Sequence, residues 1–166
     1  MIFLLKTLVV ILFVILLFGF CCTWVVEHSY NQKQFLAGTA PNPTPDGLYS
    51  GTVPGHTVSW LGKKFNAASS TGINVFDDGK DTNGNIIQGE RYPFKTSYVK
   101  GSRDKNLDVL AIDYNIATNP FWLRLILDEI VQVAPGQYLG KLEVRIIPRF
   151  PFTLAFFELK KSSTTF

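Results

Sequence analysis

The feature that most constrains this chain is an unbroken run of twenty uncharged residues, 7–26, which are nearly all apolar. A helix needs about 20 apolar residues to cross the hydrocarbon core of a bilayer. A cleaved signal peptide has a shorter apolar region, about 7–15 residues, and ends at small residues. Here Phe20 and Trp24 stand where a peptidase requires small side chains. We therefore predict that residues 1–26 form an uncleaved transmembrane anchor.

The charges that flank this run predict its orientation. Lys6 and the amino terminus precede the run, whereas Glu27 and His28 follow it and the next cation is Lys33. Positive charge is retained on the cytoplasmic side of a membrane span. We expect a single-pass membrane protein whose domain is extracytoplasmic, and periplasmic if the source is a Gram-negative bacterium.

The rest of the chain, residues 27–166, has the size of one ordinary domain. It holds 15 of the 16 Lys+Arg and all 13 Asp+Glu, a net charge of +2, which excludes a basic nucleic-acid footprint. Both cysteines, Cys21 and Cys22, lie in the apolar run, so no disulfide framework or cysteine metal site is expected. Neither a metal nor a cofactor is predicted. Three prolines within 40–45 predict an extended linker over residues 27–45, a stalk that lifts the domain off the bilayer.

Apolar and polar residues alternate along much of residues 46–166, which is typical of β-strands. The strand candidates are residues 72–76, 92–98, 107–114, 141–147 and 152–160, separated by turn clusters. Several side chains in the segment 77–85 carry oxygen atoms that could bind calcium. Its spacing fails the EF-hand pattern, because Thr82 stands where glycine is required, and an Asn-Gly hairpin explains it better.

One helix is predicted among the strands, over residues 121–133. Asn119 is a suitable N-cap and Pro120 suits the first helical position. Apolar residues then recur at helical spacing, opposite Arg124 and Asp128. The expected fold class is mostly β: a small antiparallel barrel or curved sheet with one late α-helix, preceded by the transmembrane helix.

Two short motifs near the start of the domain resemble a known family. Residues 47–51 read Gly-Leu-Tyr-Ser-Gly, and residues 60–65 read Trp-Leu-Gly-Lys-Lys-Phe. They resemble the GXWXG-type domains of bacteria, in which an early Gly-x-Trp-x-Gly is followed by Trp-x-Gly-Lys-x-Phe; Tyr49 stands where the family has Trp. The resemblance implies a lipocalin-like fold more than a function.

Two charged positions in apolar strands are of interest. Asp113 stands in the strand 107–114, where a buried carboxylate must be paired or protonated, and its candidate partners are Arg124, Arg145 and Lys63. In the strand 141–147 the charges alternate with aliphatic residues, and period alone does not choose the buried face. Because burying charges is costly, we expect solvent exposure for Lys141 and Glu143.

The leading functional hypothesis is a membrane-anchored module that binds a small apolar or amphiphilic ligand. The alternative is a structural or partner-binding envelope protein with a filled barrel, and an enzyme is the least favoured class, because no nucleophile–base pair is visible. A cavity volume below about 300 Å³ would favour the filled barrel. No catalytic residue is predicted. The candidate lining residues are Tyr49, Trp60, Asp113, Tyr114, Trp122 and Arg145, with Arg145 as a possible polar anchor.

Overall fold

The computed structural model describes residues 2–162, which form two helices and eight strands. The helices are α1 (Ile2–Glu27) and α2 (Tyr30–Ala37). The strands are β1 (Gly47–Thr52), β2 (Trp60–Asn66), β3 (Thr71–Lys80), β4 (Ile86–Lys100), β5 (Asp108–Asp113), β6 (Ile126–Ala134), β7 (Gln137–Ile147) and β8 (Phe150–Lys161). The predicted strands at 72–76, 92–98, 141–147 and 152–160 are confirmed within β3, β4, β7 and β8. The one predicted at 107–114 is confirmed as β5, which is one residue shorter at each end.

The eight strands form one antiparallel ring-like sheet, here called the ring. Each strand pairs with the next along the chain, and β1 pairs with β8, with Tyr49 opposite Lys161 and Thr52 opposite Glu158. Because the strands alternate in direction, the connections fall at two ends. The end that holds residues 53–59, 81–85, 114–125 and 148–149 is called the mouth end, and the other is the opposite end.

Buried apolar side chains lie on both the inner and the outer surface of the ring. The interior cluster includes Tyr49, Phe65 and Phe94, and a second cluster on the outer surface gathers Val131 and other residues around Phe35 of α2. Phe35 is fully buried. The ring therefore has an inner core and an outer core, the latter covered by α2.

Helix α1 is long and apolar enough to span a membrane, but its last third packs on the ring. The hydroxyl of Thr23 accepts a hydrogen bond from the backbone N–H of Thr153 at 3.0 Å. A Cβ at Gly19 would lie 2.8 Å from the ring of Phe152, so only glycine allows this close approach. Residues 3–18 leave the ring and are exposed, except for the half-buried Leu16.

The segment 27–45, expected to be a free stalk, instead packs along the ring. Ser29 caps α2 by accepting a hydrogen bond from the backbone N–H of Gln32. Thr39 pairs with Gln132 of β6, and the carbonyl of Pro41 accepts a hydrogen bond from the Tyr98 hydroxyl at 2.6 Å. The prolines do keep residues 40–45 free of helix. Helix α2 packs on the ring because burying its apolar side there is more favourable in free energy than leaving it in solvent.

The prediction of an α-helix over 121–133 is wrong. Only Leu123–Leu125 form a short 3₁₀ turn, and Ile126–Ala134 are strand β6. Ile130 faces the interior cluster while its neighbour Val131 lies under α2, so both faces of β6 are buried. A strand buried on both faces shows no period-two alternation, and its apolar positions can match a helical spacing by chance.

The expected solvent exposure of Lys141 and Glu143 is also wrong. Both side chains are fully buried on the outer surface of β7, whereas Leu142 faces the interior. The β4–β5 connection folds back over this surface, and its Ser102 donates a hydrogen bond to Glu143. The connection also supplies Asp104, which pairs with Lys141. The cost of burial is offset by these partners, which lie far away in sequence.

Candidate ligand-binding cavity

A cavity of about 400 Å³ occupies the interior of the ring and opens at the mouth end. Val53 and Val58, from the β1–β2 connection, and Trp122, before β6, surround its opening. Its wall is almost wholly apolar and includes aromatic side chains of several strands. Four polar side chains lie at its floor: Lys63, Asn74, Tyr114 and Asp128. This is the composition of a small-molecule site, an apolar body with a few convergent polar groups.

Lys63 lies on β2, directly after Gly62, where β1 and β2 approach closely. Gly62 has φ of +141°, and a Cβ there would lie 2.0 Å from the carbonyl oxygen of Tyr49. The next side chain, Lys63, is buried, as is Phe65 two residues on, while Lys64 between them is exposed. The period of two thus aims Lys63 into the ring.

All three protons of the Lys63 ammonium have acceptors. Nζ donates to Asn74 Oδ1 at 3.0 Å, to Asp128 Oδ2 at 2.9 Å and to the Tyr114 hydroxyl. Asp128 supplies the opposite charge, and the side chains of both residues are almost fully buried. The pair is therefore neutral overall and fully desolvated on the lysine side.

Asn74 and Trp60 hold this arrangement in place. Asn74 Oδ1 also accepts from Trp60 Nε1 at 3.1 Å, and Asn74 Nδ2 donates to the Tyr114 hydroxyl at 3.1 Å. With two donors directed at its oxygen, Tyr114 donates its own proton to Asp128 Oδ2 at 3.1 Å. Each of the four floor side chains takes part in at least two of these hydrogen bonds, which is the preorganisation expected of a binding floor.

Four aromatic rings surround the ammonium. Lys63 Nζ lies 5.1–5.3 Å from the ring centroids of Trp60, Phe94, Tyr114 and Phe157. A cation within about 6 Å of an aromatic face is attracted by the quadrupole of the ring. The rings therefore stabilise a positive charge in a site from which water is largely excluded.

Burial shifts the proton affinities of the floor in opposite directions. Desolvation lowers the pKa of Lys63, and the carboxylate of Asp128 opposes that shift. Desolvation and the same carboxylate raise the pKa of Tyr114 well above its ordinary value. Tyr114 therefore stays a neutral donor, and the floor presents one ion pair rather than a net charge.

One floor atom lacks a partner. Asp128 Oδ1 is buried and accepts no hydrogen bond from any residue in 2–162. Leaving a buried acceptor unsatisfied costs about 1–3 kcal/mol. A molecule that enters therefore meets no free donor on Lys63, and it reaches the Asp128 Oδ1 acceptor only by moving the side chains that cover this atom.

Three of the six sequence-predicted lining residues lie at the cavity. Trp60 and Tyr114 lie at its floor and Trp122 at its opening. Tyr49 lies deeper in the interior core, where its ring packs against Phe65 and Tyr138.

Asp113 and Arg145 do not line the cavity. Arg145 binds the Asp113 carboxylate through two nitrogens, at 2.6 and 3.2 Å, and both side chains are partly exposed on the outer surface. The same guanidinium donates to the carbonyls of Arg124 and Ile126. Its hydrogen bonds hold the pKa of Asp113 below the ordinary value despite partial burial. Of the three candidate partners of Asp113, Arg145 is the one that pairs with it.

Sequence reasoning missed three of the four floor residues as ligand contacts. The sequence predicts Lys63 only as a candidate partner for Asp113, and it predicts Asp128 on the polar side of the 121–133 helix, which is wrong. A period of two from Phe65 predicts an inward Lys63, so this position could have been found. Asn74 stands in a plain strand, and no local pattern distinguishes it.

A second buried charge cluster lies on the outer surface, between the ring and the helices. Glu129 accepts from the backbone N–H of Ser102 at 2.6 Å, and Glu143 lies near it on the adjacent strand. Desolvation and the charge of Glu129 raise the pKa of Glu143 to about 7, and desolvation also raises the pKa of Glu129. Arg103 follows Ser102 in the β4–β5 connection and joins α1 to the ring. Its guanidinium donates hydrogen bonds to both carboxylate oxygens of Glu27, in α1, and to the carbonyl of Pro151, in β8.

Comparison with known proteins finds a similar solved structure. No family model matches the sequence, and no curated protein matches it either. The fold is similar to the crystal structure of a protein from Thermomonospora curvata, at 16% sequence identity and a TM-score of 0.49. That alignment covers 75% of this chain and 80% of the other.

Proposed function

We propose that this protein is a membrane-anchored, lipocalin-like barrel of the GXWXG type that binds a small apolar or amphiphilic ligand in its cavity. The domain is extracytoplasmic in this proposal, and α1 is its anchor. The observation that supports ligand binding is the floor of the cavity: a buried ion pair, Lys63 and Asp128, with one carboxylate oxygen unpaired beneath an apolar space.

The alternative, a structural module with a filled barrel, has less support from the cavity. The cavity has a volume of about 400 Å³, which is above the lower limit of roughly 300 Å³ for small-molecule sites. A filled barrel also has no need of a buried lysine, since well-packed apolar residues in place of a buried ion pair are often as stable or more so.

The floor favours a neutral ligand with a hydrogen-bond donor, such as a hydroxyl, at one end of an apolar body. Such a donor would satisfy Asp128 Oδ1. A carboxylate would meet the charge of Asp128 while finding every Lys63 proton already engaged. We therefore expect alcohols to bind more tightly than carboxylates of equal chain length, since the donor removes a desolvation penalty of about 1–3 kcal/mol.

Binding of three matched probes to the full chain in detergent tests this function. We expect decanol to bind, decyl methyl ether to bind about 5- to 150-fold more weakly because it cannot donate a hydrogen bond, and decanoate to bind most weakly. Calorimetry or quenching of tryptophan fluorescence gives the affinities. Equal affinity for decanol and the ether would overturn the ligand class, and absence of binding by all three would overturn the cavity function.

A cavity-filling variant supplies the matched control. Ala155 lines the cavity, so Ala155→Phe should abolish decanol binding, whereas Val133→Phe, on an exposed position away from the cavity, should not change it. Mass spectrometry of lipids that co-purify with wild type and with Ala155→Phe would identify the natural ligand by its absence from the variant.

Labelling in intact cells tests the orientation. Pro43 is exposed, so a Pro43→Cys variant in a Cys21→Ala/Cys22→Ala background should react with a membrane-impermeant maleimide. Labelling only after lysis would place the domain in the cytoplasm and overturn this part of the proposal.

A further inference from the structure

We propose that one side of the mouth end rests on the bilayer that α1 crosses, so that the cavity opens among the lipid headgroups. The exposed apolar residues on this side are called the membrane rim: Phe121, Trp122, Leu125, Ile146 and Phe150. The docking of the rim needs no ligand, but it rests on α1 being the membrane anchor of the proposed function. Its consequence, ligand exchange with the bilayer rather than with bulk water, rests on the proposed function.

The direction of α1 relative to β8 is the first argument. Strand β8 begins at the mouth end with Phe150. Near its carboxyl end α1 contacts Thr153 through Glu27 and Thr23, and one turn earlier Phe20 packs on Phe152 and Phe150. Helix α1 therefore approaches the mouth end as its residue numbers fall, and residues 3–18 leave the ring on that side.

The free length of α1 is the second argument. The uncharged part of α1 that is free of the ring is residues 7–18, twelve residues that span about 18 Å at 1.5 Å per residue. The hydrocarbon core of a bilayer is about 30 Å thick. The helix completes its span only if part of the segment from Gly19 onward, which is packed on β8, also lies at membrane depth. The mouth end is thereby drawn to the membrane surface.

The distribution of exposed apolar side chains is the third argument. Phe121 is 80% exposed and Trp122 51%, and the rest of the rim lies beside them or on the strands next to α1. Aromatic side chains are enriched where proteins meet the headgroup region. Arg149, exposed in the β7–β8 turn, is placed to meet lipid phosphates.

The far side of the mouth end has a different character. The β3–β4 connection lies across the ring from β8, and its surroundings contain Asp77, Asp78 and Asp81 as well as the exposed Ile86 and Ile87. Carboxylates there would be costly to bury in lipid. The ring therefore tilts, with the membrane rim against the bilayer and the β3–β4 hairpin in water. Because Trp122 belongs to the rim and also lines the cavity, the opening meets the lipid surface.

Spin labels on the full chain in phosphatidylcholine vesicles test this placement. In the Cys21→Ala/Cys22→Ala background, a nitroxide is attached to Phe121→Cys, to Asn83→Cys on the far side, or to Val133→Cys at the opposite end. We expect the label at position 121 to collide mainly with oxygen, which concentrates in lipid. The labels at 83 and 133 should collide mainly with a water-soluble nickel complex.

Nickel accessibility at position 121 equal to that at 83 and 133 would overturn the docking. Circular dichroism confirms the fold of each variant, and Phe150→Cys replaces Phe121→Cys if the latter fails to fold. Decanol binding is measured on the same samples. A lipid-facing label at 121 without decanol binding would refute the proposed ligand binding and leave the docking intact.

Discussion

The ammonium of Lys63 and the carboxylate of Asp128 lie 2.9 Å apart inside the ring, with both side chains almost completely removed from solvent. They come from β2 and β6, strands that do not pair with each other, so their ion pair crosses the interior. An ion pair in this position is costly to desolvate, and its geometry must be well satisfied to be retained.

Lys63→Met should strongly destabilise the protein. It leaves the Asp128 carboxylate buried without its counter-charge, which typically costs about 3–5 kcal/mol. Thermal or urea unfolding of the full chain in detergent measures the change. The double variant Lys63→Met/Asp128→Leu should recover much of the loss, because it removes both charges. Equal destabilisation of the single and double variants would contradict the importance of the pair.

Gly62→Val should destabilise the domain by a few kcal/mol. The φ of +141° is strained for a side chain with a Cβ, and that Cβ would lie 2.0 Å from the Tyr49 carbonyl oxygen. Lys64→Val, at an exposed position on the same strand, is the control and should change the stability by about 0.5 kcal/mol or less. A wild-type melting temperature for Gly62→Val would refute the close approach of β1 and β2.

Local sequence pattern predicted five of the strands, among them β5, which is buried on both faces. It failed for β6 and where distant partners bury polar groups. The alternation at 92–98 was sufficient to identify β4. In β6 the apolar residues serve two cores at once, so their spacing was misinterpreted as a helix. Lys141 is buried because Asp104, 37 residues earlier, reaches it, and no local pattern contains that contact.

The stability of the protein should fall as the pH rises from about 5 to 7. Burial raises the pKa of Glu143 to about 7, above the ordinary value of 4.5. Between these values the folded state holds a proton that the unfolded state releases, so folding is favoured on the acid side and the advantage disappears above pH 7. The neighbouring Glu129, whose pKa is also raised, contributes with the same sign.

Glu143→Gln should flatten this dependence and raise the melting temperature at pH 7.5 toward the acid-side value. The amide keeps the shape of the protonated carboxyl and can still accept from Ser102, while Lys141, Arg103 and Asp104 keep their own partners. The effect is at most about 3 kcal/mol. Melting curves between pH 5 and 8 measure it, with Glu158→Gln, an exposed carboxylate of β8, as the control. A pH slope equal to that of wild type in Glu143→Gln would contradict the assignment.

Arg145→Met should leave decanol binding unchanged, whereas it would weaken binding if Arg145 were a polar anchor in the cavity. The guanidinium lies on the outer surface, where it pairs with Asp113 and donates to the carbonyls of Arg124 and Ile126. Losing these partly exposed bonds should lower the unfolding free energy by about 1–2 kcal/mol. Calorimetric titration with decanol and thermal melting of the same sample separate the two quantities. Loss of decanol affinity with an intact fold would return Arg145 to the ligand site and contradict the position of the cavity floor at Lys63 and Asp128.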